Sequence, residues 1–154
     1  MSNLTHTAHA LLSEFTHEQI PLVVRGVEWQ CWRCHSTTWI PALIHVDGFT
    51  DIYSVIRTVS GLHLAYLQEC LALSGSPLAH TIKTRHSKRG GSYLSHGCPS
   101  CDALAGAFFL DEAVTEALVD NKVGDLPSIT TFRRPNIEYI LLTADRDYSH
   151  WYDD

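Results

Sequence analysis

The sequence predicts an α+β fold. Three features carry that expectation: stretches rich in β-branched and aromatic residues on both sides of the string CWRCH, an apolar helical spacing over residues 51–74, and a second pair of β-prone pieces ahead of another helix-prone run. Taken in order, the elements read β, β, α, β, β, α, β, which is α+β rather than alternating α/β. A chain of 154 residues, 45% apolar and 18% charged, is long enough to bury one core, so a single domain over 1–154 is expected.

Residues 3–18 carry Leu4, Ala8, Leu11, Leu12 and Phe15 on one side of a helix, and an N-terminal helical segment over 1–19 ends before Ile20 and Pro21. Residues 22–30 (LVVRGVEWQ) and 37–46 (TTWIPALIHV) read as two strands joined across the cysteine turn, with Pro41 confining the second to an edge or a bulge. Apolar residues at 52, 55, 56, 59, 62, 66, 67, 70 and 71 predict a helix from Asp51 to Ser74, capped by Thr50 or Asp51 and closed by Gly75 and Pro77. This helix is the core of an insertion over 47–79. Residues 81–86 and 92–95 form a hairpin around the turn KRGG. A helix follows from the cysteines at 98 and 101, with Asp111 capping a further short one, and 135–143 (PNIEYILLT) reads as a last strand before an acidic, aromatic tail.

The five cysteines carry the chemistry. Four of them form two C-x-x-C pairs, Cys31 with Cys34 and Cys98 with Cys101, whereas Cys70 sits on an apolar helical pattern and reads as a small buried hydrophobe. The N-terminus lacks a basic n-region and an unbroken apolar h-region, so a cytoplasmic protein with reduced thiols is expected, and no apolar run is long enough for a membrane helix. CWRCH by itself suggests attached haem. That reading fails because no export signal is visible and the sole methionine is Met1, leaving no internal sixth ligand. The pair CPSC, placed at a helix start, resembles the glutaredoxin dithiol, whose first thiolate the helix dipole stabilises. It lies at 98, far from the N-terminal position of that dithiol, and it leaves the other pair unexplained. This redox reading stays open as an alternative.

Zn²⁺ explains both pairs at once, since tetrahedral coordination takes four thiolates and each C-x-x-C turn presents two. The 63 residues between Cys34 and Cys98 exceed the spacing of a compact ribbon. Lengthening the loop from about 17 residues to that length costs roughly 1 kcal/mol, against the order of 10 kcal/mol that structural zinc supplies. Four thiolates leave no open coordination position, so the expected role is structural. His35 and His96 flank the pairs and are candidates to replace a cysteine. A strand, a cysteine turn, a second strand and a cysteine pair entering a helix outline a treble-clef-like zinc-binding core, with its helical insertion between the two knuckles.

The string GCPSCDALAGAFFL, with RHS and YLSH ahead of it and Ile20, Pro21, Cys31, Cys34 and Thr38 upstream, resembles an uncharacterised bacterial and phage zinc-ribbon family. The resemblance covers roughly residues 20–46 and 80–112. It implies a zinc site and assigns no activity. His96 stands where the family pattern has Asn, and Asp102 where it has Gly, and both changes bear on the turn at the second pair.

Acidic residues outnumber basic ones 17 to 11, a net charge of −6 that disfavours a sequence-blind grip on nucleic acid. Lys83, Arg85, Lys88 and Arg89 are the local exception, candidates for an anion or nucleic-acid contact in the basic hairpin 80–91, or charges that guard a strand edge. Nuclease chemistry of the His-Asn-His type lacks its Asp-His pair, with His80 and His86 as the only substitutes, and zinc deaminases need an H-x-E and a P-C-x-x-C that are absent. His6, His9 and His17 fit a polar helix face. The reading is therefore a protein-interaction module, not an enzyme, whose partner would meet Trp29, Trp32, Trp39 or Trp151; a nucleic-acid partner or nuclease-like activity through the hairpin is the alternative.

Overall fold

The computed structural model describes residues 18–144, so residues 1–17 of the N-terminal helical segment expected over 1–19, the histidines at 6, 9 and 17, and the tail with Trp151 lie outside the described residues, while Glu18 is a bend and Gln19 opens a strand. The described chain is α+β, with antiparallel strand pairing and three α-helices.

Strands β1 (Gln19–Gln30) and β2 (Thr37–Val46) form a long hairpin that turns through Cys31 and Cys34. β1 is central, flanked by β2 and by β7 (Ser128–Pro135), while the two-residue β3 (Ile56–Arg57) extends the sheet beyond β2. Pro41 is accommodated as expected: it pairs with Gly26 where the register shifts, and it lies past the reach of β3. Gly26 lets the strands approach closely there: a Cβ would stand 3.2 Å from Trp39 Cβ and 2.7 Å from the tip of the Ile129 side chain, which would have to shift.

The pleat sends neighbouring residues to opposite faces. Ile44, with Leu22, Val24 and Val46, packs on Leu64, Leu67 and Leu71 of α1 (Gly61–Leu73) and on Tyr139 and Leu142 of α3 (Asn136–Ala144). Leu43, with Val27, Ile40, Val55 and Val59, packs on Leu110, Val114 and Ala117 of α2 (Ala107–Val119). The sheet thus separates two apolar layers.

Two expectations are corrected by this layering. The helix predicted from Asp51 begins only at Gly61, because Val55 and Val59 belong to the α2 layer while Leu64, Leu67 and Leu71 belong to the α1 layer. One straight helix cannot serve both. Asp51 instead closes a turn, its carboxylate accepting from the Ser54 hydroxyl at 2.6 Å and the Tyr53 N–H at 3.2 Å. The insertion over 47–79 is therefore helical only in its later part. The last strand predicted over 135–143 is the helix α3, with Tyr139 and Leu142 buried one turn apart and Arg134 bridging Glu138 at 2.7 Å. The edge strand is β7, whose threonines and arginines hid its pattern.

A 3₁₀ turn (Pro77–Thr81) leads from α1 into the second sheet, which runs β4 (Lys83–His86), β5 (Ser92–Gly97) and β6 (Leu104–Ala105). The β4–β5 hairpin turns at KRGG with Gly90 at φ +94, as the sequence suggested. Among the described residues no helix is long and apolar enough to cross a membrane.

Candidate metal centre

The β1–β2 turn and the β5–β6 turn are built alike. In the first, the Cys31 N–H donates to Ser36 O at 2.9 Å and the His35 N–H donates to Cys31 O at 2.9 Å. In the second, the Cys98 N–H donates to Ala103 O at 2.8 Å and the Asp102 N–H to Cys98 O at 2.9 Å. Each turn is closed by the residue after its second cysteine in the left-handed region, His35 at φ 63 and Asp102 at φ 64.

The second pair does not open a helix. His96 and Gly97 pair with Ala105 and Leu104, which folds the chain back after Asp102, and α2 starts only at Ala107. The dipole argument for a CPSC dithiol, and the immediate passage from knuckle to helix in the treble-clef outline, are both corrected by this short β6.

The four sulfurs of Cys31, Cys34, Cys98 and Cys101 lie within 4.8 Å of one another, and among the described residues they are the only such cluster of potential ligands. Close pairs run across the turns: Cys31 to Cys101 at 3.5 Å and Cys34 to Cys98 at 3.7 Å. A tetrahedral ion with bonds of about 2.3 Å sets its sulfurs about 3.8 Å apart. The donor set therefore suits a metal ion that prefers thiolates and tetrahedral geometry.

Backbone N–H groups support the charge such a site needs. The N–H groups of Arg33 and Cys34 approach Cys31 Sγ at 3.4 Å, and that of Ser100 approaches Cys98 Sγ at 3.4 Å. Burial pushes the Cys98 thiol up, yet hydrogen bonds from the Cys101 and Ser100 backbone and from the Ser36 hydroxyl outweigh it and hold it at about 6. The Ser36 hydroxyl, 3.0 Å from Cys34 Sγ and 3.8 Å from Cys98 Sγ, also lowers Cys34. Cys31 and Cys98 are buried, whereas Cys34 is exposed. Sequence reasoning missed Ser36, which follows the first pair without any motif of its own.

The other candidates separate. His35 is exposed at the tip of its turn, outside the sulfur cluster. His96 is buried outside the sulfur cluster, and its Nε2, 2.8 Å from Thr58 O, links β5 to the loop before α1; burial lowers its pKa to about 4. Cys70 is buried in α1. His86 meets the Ser92 hydroxyl at 3.1 Å across the hairpin.

The basic segment divides in two. Lys83 and Arg85 bridge the Asp102 carboxylate at 3.0 and 3.1 Å, and hydrogen bonds from Lys83 and then Arg85 hold that carboxyl below its usual range. Lys88 and Arg89 stand exposed at the hairpin tip. Two of the four predicted anion contacts are thus engaged with the second knuckle.

Trp32, 65% exposed, donates its indole N–H to Leu104 O at 2.9 Å, so the first turn is pinned to β6 beside the sulfurs. Trp29 is half-buried against Cys31, Cys98 and Ala103. Together with Glu28, Leu104, Gly106 and Phe109 these tryptophans line a groove of about 540 Å³. Leu104 and Phe109 lie in the string GCPSCDALAGAFFL, but nothing in the sequence marked them as lining a groove with the tryptophans. Comparison of the chain with protein-family models, curated proteins and solved structures finds no match.

Proposed function

We propose that this chain is a small zinc-clamped, ribbon-like module that binds a protein partner. The observation that carries the reading is the convergence of four sulfurs from turns 63 residues apart in sequence. Cys31, Cys34, Cys98 and Cys101 would hold the ion and leave no vertex for substrate or water, so zinc supplies cross-linking rather than Lewis-acid chemistry. A reducing, cytoplasmic setting keeps such thiolates available. The resemblance to the zinc-ribbon family supports the same assignment.

A protein partner is favoured over nucleic acid by charge. The chain carries −6, four thiolates with one Zn²⁺ contribute a further −2, and Asp102 neutralises part of the basic hairpin. Exposed Trp32, Trp39, Phe108 and Phe109 near the two turns are the kind of residue that anchors protein interfaces.

Elemental analysis of purified full-length protein tests the metal. About one zinc per chain is expected, with Cys98→Ser and chelation both lowering the melting temperature. Metal-free protein with an unchanged melt contradicts the proposal.

A further inference from the structure

We infer that the groove beside the metal centre receives an extended segment of the protein partner, which adds as a strand to the open edge of β1 and turns one apolar side chain onto Trp29. The inference rests on the metal-clamped interaction module proposed above and names how its partner is held. β7 covers the edge of β1 only from Gln19 to Arg25, and its line ends where the Gly26 N–H donates to Pro127 O at 3.1 Å. Past that point β2 pairs with one edge of β1 as far as Gln30, and the other edge has no strand beside it. Backbone groups alternate along a strand, so Glu28 and Gln30 aim their N–H and C=O as Gly26 aims its N–H, away from β2. The Cys31 N–H, one step out of phase, donates toward the hairpin to Ser36 O at 2.9 Å. Among the described residues nothing pairs with the outward backbone groups of Glu28 and Gln30.

The groove, about 540 Å³, follows this edge. Glu28, Trp29 and Gln30 all line it, although the pleat sends the Trp29 ring to the α2 layer and the side chains on either side of it to the opposite face. Three consecutive strand residues share one groove only along their backbone edge. The far wall is formed by Leu104, Gly106, Phe109 and Leu110, and the Trp32 indole, bonded to Leu104 O at 2.9 Å, ties the two walls together. That wall decides the occupant. It blocks the edge of a second sheet, and a helix spends its backbone groups on itself. A single extended chain meets both conditions. Laid antiparallel, as β7 is, it exchanges two hydrogen bonds with Glu28 and two with Gln30, and its intervening residue stands opposite Trp29 at the closer, non-hydrogen-bonded spacing. Trp29, Phe109 and Leu110 make that position apolar, so a β-branched or aromatic side chain fits it best.

The test uses full-length, zinc-loaded protein and three acetylated, amidated peptides: Ser-Thr-Val-Thr-Ser, the same peptide with glycine for valine, and the parent N-methylated at both threonines, which keeps every side chain and removes two backbone donors. Backbone N–H resonances and amide hydrogen exchange are followed by NMR. The parent peptide is expected to shift the Glu28 and Gln30 resonances saturably and to slow their exchange more than that of Val27 and Trp29, which already bond to β2. The glycine peptide should bind about fivefold more weakly, and the N-methylated peptide at least about tenfold more weakly. Phe109→Ala, at an exposed position, weakens the parent peptide with the fold intact. Undiminished binding of the N-methylated peptide overturns strand addition, and undiminished binding of the glycine peptide overturns the apolar anchor. Protection of Glu28 and Gln30 that rises with protein concentration alone overturns the partner segment in favour of a second copy, and a response only to oligothymidylate overturns it in favour of nucleic acid. No response to any probe from protein that retains its zinc overturns this inference alone, whereas protein without zinc fails the underlying reading instead.

Discussion

His35 and Asp102 occupy the same place in two separate turns, each following the second cysteine of its pair, each left-handed at φ 63 and 64, and each donating its N–H to the first cysteine's carbonyl. A side chain with a Cβ is strained there by about 1 kcal/mol or more, and glycine is not. His35 is exposed and is not among the metal-ligand candidates, so it gains little in return. His35→Gly is therefore expected to raise stability by about 1 kcal/mol, read as a higher denaturant midpoint at unchanged slope. A lower midpoint means that the imidazole does something the turn requires.

Asp102 is the contrasting case, because its carboxylate meets Lys83 and Arg85. Asp102→Asn keeps a residue that tolerates the left-handed region and removes the ion pairs. The loss should be about 1 kcal/mol, since Lys83 and Asp102 are half-exposed while Arg85 is mostly covered, and it should shrink as salt is raised toward about 1 M. Asp102→Gly relieves backbone strain at the same time and should cost less than the asparagine variant. Denaturant titrations of both at low and high salt decide the order.

Both knuckles could be read in the sequence because C-x-x-C fixes which side of a turn its sulfurs occupy, however long the chain between the pairs. The hairpin strands β1 and β2 were equally legible, since Val23, Val24, Trp39 and Ile40 sit in runs of strand-forming residues. Residues 51–60 were not, because a period that matches a helix arises by coincidence when Val55 and Val59 face one layer and Leu64 and Leu67 the other. Nor could α3 be told from a strand, as Ile137, Tyr139, Ile140 and Leu142 satisfy either period over so short a run. Trp32 was visible as a residue type, but its contact with Leu104 depends on two turns meeting, which no local pattern encodes.

Gly97, just before Cys98, leaves no room for a side chain. A Cβ there would collide with the Arg85 guanidinium, stand 2.9 Å from Asp102 Oδ1 and sit 3.1 Å from the backbone oxygen of Thr81. The backbone atom cannot swing aside as a flexible side chain could. Gly97→Ala should destabilise by about 1–3 kcal/mol and speed metal loss to a chelator, because the displaced strand carries Cys98. Unchanged stability together with unchanged release shows that the hairpin and the knuckle move independently.

Arg25, partly buried, and His45, buried, pair across β1 and β2: Arg25 Nε donates to His45 Nε2 at 2.8 Å, and His45 Nδ1 lies 2.7 Å from Val46 O. With Nε2 accepting, the proton sits on Nδ1 and the ring is neutral. Burial first, and then the Arg25 charge, lower His45 below its free value of 6.5. Between the folded value and 6.5 the unfolded chain binds more protons than the folded one, so stability rises with pH in that window. The contribution is complete above the free value and is lost as the solution is acidified below it, at a slope of at most about 1.4 kcal/mol per pH unit. His96, also held low by burial, acts in the same direction, so a single profile cannot separate them. His45→Gln retains an acceptor for Arg25 but cannot take a proton. Its unfolding free energy, measured from neutral pH down to mildly acidic conditions, should fall less steeply than that of the parent chain; parallel profiles would show that His45 already carries a proton beside Arg25 in the folded state.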